Sequence, residues 1–86
     1  MEKFICPCCG NLTLEEEGIG TYEICPVCFW ENDKVQFENP NSTDGANEVS
    51  LNEARQNYRE FGADTKSNLS KVRAPLPEEI PQTNQA

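Results

Sequence analysis

The chain has 86 residues, a formal net charge of −8, five cysteines and no histidine. A domain of this size buries only about 60% of the surface its unfolded chain exposes, so a thin core held by a staple is expected. Nothing in it approaches the roughly 20 apolar residues of a membrane-spanning helix, and MEKFICPCCG at the N-terminus has no basic-then-apolar leader pattern; the expected home is the cytoplasm. Thiols stay reduced there, and paired cysteines in small folds are more often metal ligands than disulfides. Residues 1–49 carry ten acidic and two basic side chains, residues 50–86 five of each. An acidic cysteine-bearing half argues against nucleic acid as a partner and favours a protein with a basic surface. The bland alternative is that surplus Glu keeps a small protein soluble.

From Phe4 to Phe37, short apolar runs alternate with turn formers, the pattern of strands. Leu12 and Leu14 alternate with polar neighbours, as do Tyr22 and Ile24 beyond Glu15–Gly20, which predicts a hairpin between these two segments. A third short strand is expected over Lys34–Phe37. Residues 39–47 are nearly all loop formers. Ser50-Leu51-Asn52-Glu53 then matches a capping box, Leu51, Ala54, Tyr58 and Phe61 recur at helical spacing, and Gly62 stands where a left-handed cap belongs. A helix over about 51–61 is predicted, its apolar stripe lying on the ribbon. Asp64 to Arg73 reads as a second short helix or an extended strap, with Leu69 and Val72 as anchors. The run from Ala74 contains three prolines and no packing pattern, so residues 74–86 are expected as a Pro-rich flexible tail behind a domain of residues 1–73.

Cys6-Pro-Cys-Cys9 and Cys25-Pro-Val-Cys28 are two C-x2-C pairs separated by 15 residues, the spacing of a zinc site. Zinc prefers four donors in a tetrahedron, and two intervening residues let one tight turn aim both thiolates at a single point. Pro7 and Pro26 preset φ for those turns, and Gly10 suits a left-handed position closing the first. Phe29 follows the second pair, so that turn must differ or be strained. Cys6, Cys9, Cys25 and Cys28 are the expected ligands of one zinc ion, with iron as the second choice because it uses the same sulfur geometry. Four thiolates and one divalent ion would take the formal charge to about −10. Cys8 is left over: either a small residue at a knuckle tip or a thiol able to exchange with a ligand. The fold class that follows is a small metal-stapled α+β domain, a zinc-ribbon or rubredoxin-like ribbon of two to three short strands with one packed helix.

FICPCCGNLTLEEE, TYEICPVCFWENDKVQ and GANEVSLNEARQNYREFGA together resemble the cysteine-rich CPCC family of small, mostly bacterial proteins, over roughly residues 4–75. The resemblance implies a zinc-binding, ribbon-like module and supplies no catalytic residues. The family's cysteine pattern matches Cys6, Cys9, Cys25 and Cys28, with Cys8 at its extra cysteine. Proximity of some similar proteins to toxin genes implies an immunity or partner-binding role.

The expected function is a structural zinc module acting as a small protein-binding protein, toxin-neutralising or regulatory, and not an enzyme. Phe29-Trp30-Glu31 would offer the partner surface, unless Trp30 covers the thin core beside the metal. Arg55 and Arg59 would clamp a partner carboxylate or lie over the Glu-rich ribbon. The alternative is a thiol redox protein using a C-x-x-C dithiol, weakened by the lack of a βαβ pattern and of a histidine for acid–base work. A nucleic-acid-binding zinc ribbon is the further alternative, resting on Arg55, Arg59, Lys66, Lys71 and Arg73 as a basic strip.

Overall fold

The computed structural model describes residues 2–81. Strands β1 (Phe4–Ile5) and β2 (Leu12–Leu14) form a two-stranded antiparallel sheet, with Phe4 opposite Leu14, Ile5 opposite Leu12 and an irregularity between the two pairs. β2 therefore pairs backward across the CPCCG turn. The predicted hairpin between Leu12–Leu14 and Tyr22–Ile24 is not formed. Tyr22–Cys25 instead folds onto Trp30–Asn32 across the CPVC turn: Cys25 N donates to Trp30 O (3.0 Å), Asn32 N to Glu23 O (3.0 Å) and Tyr22 N to Asn32 O (3.0 Å), with Ile24 facing Glu31. The reason is local. A hairpin closed over one knuckle needs a shorter loop than one closed over residues 15–21, and loop closure favours the shorter. Gly18, Gly20 and Tyr22 all lie at positive φ and turn the intervening segment aside. What spans the two segments is a side chain: the Glu23 carboxylate accepts from the amides of Glu15 (2.8 and 3.0 Å) and Glu16 (3.1 Å).

The third strand expected over Lys34–Phe37 is also absent, replaced by a short helix α1 (Lys34–Glu38). Asp33 caps it, one carboxylate oxygen accepting from Gln36 N (3.0 Å) and the other from Ala46 N (3.0 Å). Val35 and Phe37 are both exposed, and the fully buried residue of α1 is Gln36. Its amide is saturated: Nε2 donates to the carbonyls of Ser42 (3.1 Å) and Val49 (3.0 Å), and Oε1 accepts from Asn47 N and Nδ2 (both 3.0 Å). One buried amide thus organises the loop from 39 to 49.

Helix α2 (Leu51–Phe61) has the limits the sequence predicts. Ser50 Oγ accepts from Glu53 N (3.1 Å), and Gly62, at φ 96°, donates to Tyr58 O (2.9 Å). Leu51 and Ala54 are fully buried; a Leu in such a place contributes about 1.5–3 kcal/mol. Beyond α2 the chain makes a 3-10 helix over Lys66–Lys71, deciding between the two readings of that stretch, and a second over Pro77–Glu79. Glu79 is buried, receiving both terminal nitrogens of Arg73 (2.8 Å each) and Leu76 N (2.8 Å). Of the expected tail, residues 82–86 lie outside the described residues.

The result is a small α+β unit with one two-stranded sheet, one main helix and a cysteine-rich centre. Its core is Leu14, Val27, Trp30, Leu51 and Ala54 packed around Cys6, Cys8, Cys25 and Cys28, with Phe4, Cys9, Val49 and Tyr58 at the edges. No helix among the described residues is long and apolar enough to cross a membrane.

Candidate metal centre

Each knuckle is the turn of its own hairpin, and the two share one hydrogen-bond pattern. In the first, Gly10 N donates to Cys6 O (2.9 Å) and Cys6 N to Asn11 O (2.9 Å). In the second, Phe29 N donates to Cys25 O (2.8 Å) and Cys25 N to Trp30 O (3.0 Å). Phe29 therefore takes the left-handed conformation of Gly10, so of the two outcomes expected for this turn it is strain, not a different turn, that the chain adopts.

The two turns bring Cys6, Cys9, Cys25 and Cys28 together with all four sulfurs within 4.8 Å of one another. Cys6 Sγ lies 3.6 Å from Cys28 Sγ, and Cys9 Sγ 3.8 Å from Cys25 Sγ. Four sulfurs at about 2.3 Å from a central zinc ion would stand about 3.8 Å apart along each tetrahedral edge, so the donor set and its spacing fit such an ion. A disulfide needs about 2.05 Å, and all five cysteines are free. Cys8 is buried in the core but stands outside the group of four.

Electrostatics explain why this cluster suits a cation. Hydrogen bonds from Cys28, Cys6 and Cys9, with a further one from Thr13, hold the Cys25 thiol well below its ordinary range. The neighbouring Cys25 in turn drives the Cys28 and Cys6 thiols far above theirs. Sulfurs this close cannot all ionise by themselves, whereas a divalent ion between them makes every thiolate favourable. Cys25 also receives donors from outside the group: Thr13 Oγ1 lies 3.0 Å from its sulfur and Val27 N 3.4 Å. Bonds of this kind orient a metal ligand and tune it.

Each knuckle is held by its own set of contacts. Arg55 Nε on α2 donates to Pro7 O (2.9 Å), and the Tyr58 hydroxyl accepts from Asn11 Nδ2 (3.2 Å), fixing the first. Asp64 N donates to Cys28 O (2.8 Å) and Arg73 N to Pro26 O (3.3 Å), fixing the second. Asn57 Nδ2 on α2 reaches Asp64 O (2.8 Å) and links the two clamps. Arg55 secures the first knuckle through its Nε and is half-buried, while Arg59 is exposed. Trp30 is 1% exposed, so it is no part of an exposed partner surface and instead covers the core beside the sulfurs. Its indole Nε1 has no partner among the described residues. Sequence reasoning missed Thr13 and Asn11, because the groups they meet, Cys25 Sγ and the Tyr58 hydroxyl, lie far along the chain.

A family model described as cysteine-rich CPCC matches residues 4–79. No curated protein matches the chain.

Proposed function

The chain belongs to the cysteine-rich CPCC family, and from that premise we propose that it is a structural zinc-binding module that keeps a small surface rigid for a protein partner. One zinc ion, held by the thiolates of Cys6, Cys9, Cys25 and Cys28, ties the two knuckles together; iron in the same all-sulfur tetrahedron is the second choice. The observation that carries this reading is the spacing of the four sulfurs within 4.8 Å. Four protein donors leave no open position for a substrate, which favours a structural ion and a binding module over an enzyme. Metal binding and folding are then one event, with the ion contributing on the order of 10–16 kcal/mol as in other small zinc domains. The surplus of acidic side chains in residues 1–49 favours a partner with a basic surface, and a toxin-neutralising or regulatory role in the cytoplasm fits that charge.

Native mass spectrometry of the reduced protein, with circular dichroism before and after chelation, tests the reading. One zinc ion per chain and loss of the fold on chelation are expected. Cys6→Ser and Cys25→Ser lose the ion, whereas Cys8→Ser keeps a full equivalent. A chain that carries no metal when purified under reducing conditions, and whose spectrum survives chelation, overturns it.

A further inference from the structure

Beside the second knuckle lies a groove of about 190 Å³ lined by Ile24, Phe29, Glu31, Glu48, Asp64 and Thr65, among others. The volume sets the scale of its occupant. Pockets for cofactors and drug-sized molecules run to roughly 300–1,000 Å³, so this one has room for a single side chain. Three acidic residues line it and no basic residue does; of these, Asp64 is buried and its carboxylate already accepts from Asn68 Nδ2 (2.9 Å). Glu48 is exposed, and neither the Glu31 nor the Glu48 carboxylate makes a hydrogen bond or ion pair among the described residues. The apolar lining is continuous with surface that water reaches, since Ile24 is 45% exposed.

Phe29 gives the groove its character. The first knuckle closes the identical turn with Gly10, so an aromatic ring is present here at the cost of a left-handed backbone that glycine adopts freely. That ring already receives a cation: Lys71 Nζ stands 5.2 Å from its centroid. An aromatic face and an aliphatic neighbour beside carboxylates match a guanidinium, which stacks flat and pairs with carboxylates through a planar fork, while its stem lies on apolar surface.

We propose that this groove docks an arginine side chain presented by a basic segment of the protein partner. The proposal rests on the protein-binding reading above and locates where that binding occurs. Zinc, in that reading, serves the groove directly, because Phe29 follows Cys28 in sequence and the Cys28 carbonyl accepts from Asp64 N. Arginine on a flexible loop would reach such a site readily, and exposed charge of opposite sign on the two partners speeds the encounter.

The test uses the ¹⁵N-labelled, zinc-loaded full chain titrated with N-acetyl-arginine amide, with N-acetyl-glutamate amide and magnesium chloride as controls. Saturable shifts at the amides of residues 24, 29, 31, 48, 64 and 65 are expected from the arginine compound alone. Glu31→Gln/Glu48→Gln, which removes two carboxylates without disturbing a hydrogen bond, should weaken them roughly fivefold or more. Shifts spread over all the acidic surface, or unchanged in the double variant, overturn the proposal; groove shifts produced by magnesium but not by arginine make it a cation site instead. A crosslinking capture from cells then separates the two layers. Capture of a partner by the native chain and its loss in the double variant support the docking site, and equal capture by both refutes it. If the native chain captures nothing, the protein-binding reading falls, and the arginine titration alone judges the groove.

Discussion

Gly10 and Phe29 occupy the same place in the two knuckles with nearly the same backbone, φ 79° and 75°. The amide of each donates to the carbonyl of the first cysteine of its pair. The four-cysteine cluster is therefore built from one local turn used twice, with an asymmetry at its closing residue.

That equivalence predicts the behaviour of Gly10→Ala. A Cβ at Gly10 would meet no atom within 4 Å, so the cost is the left-handed backbone alone. About 1–2 kcal/mol of stability should be lost, with metal content intact, as read by chemical unfolding of the zinc-loaded protein. An unchanged midpoint would mean that the turn relaxes and that the two knuckles are not equivalent.

Thr13→Val tests the outer support of the cluster. The hydroxyl lies 3.0 Å from Cys25 Sγ, and valine keeps the shape while removing the hydrogen bond. Affinity for zinc should fall by about 10–100-fold at unchanged stoichiometry, measured by competition with a chelating dye. Equal affinity in the two proteins would show that the hydroxyl does not act on the sulfur.

Gln36 and Gly45 should behave as a coupled pair. A Cβ on Gly45 would come within 2.7 Å of Gln36 Oε1 and Cγ, so Gly45→Ala drives the buried amide out of its bonds. Gln36→Ala leaves Asn47 N and the Val49 carbonyl without their partner, at about 2–3 kcal/mol. The double variant should be less destabilised than the two single losses added together, because the clash disappears with the glutamine. Additivity in a double-mutant cycle would contradict this packing.

Glu79 supplies a pH dependence. The Arg73 guanidinium, then the Leu76 amide, hold its carboxyl down from 4.5 to about 2, with Lys3 adding a smaller pull. A lowered carboxylate pKa stabilises the folded chain above the unfolded value, and that contribution fades as pH falls from about 4.5 through about 2. Protonation of the cysteines would also release a bound metal ion in acid, so the informative quantity is the difference between the native chain and Glu79→Gln. The variant should be less stable near neutral pH, and the gap should close on acidification. A gap that stays constant with pH would remove the Arg73–Glu79 pair from the account.

How much was legible differs element by element. The four-cysteine group could be read from spacing because a C-x2-C turn is a constraint within a few residues, and α2 could be read at both ends because Ser50 and Gly62 satisfy backbone groups locally. The partners of Leu12–Leu14 and Tyr22–Ile24 could not, since alternation marks a strand's faces and not the strand it joins. Lys34–Glu38 misled for a related reason: its short apolar run reads like a strand, and although Asp33 caps Gln36 N locally, the buried Gln36 amide draws its partners from residues 42–49.

The sequence by itself thus determined which cysteines could share an ion and where the main helix begins and ends, because those depend on neighbours along the chain. Only the tertiary structure decided that each knuckle closes its own hairpin, that Trp30 goes inside, and that Phe29 lines a groove with three acidic residues. Those outcomes depend on which distant groups arrive to fill the space and satisfy the polar atoms around a core of very few residues.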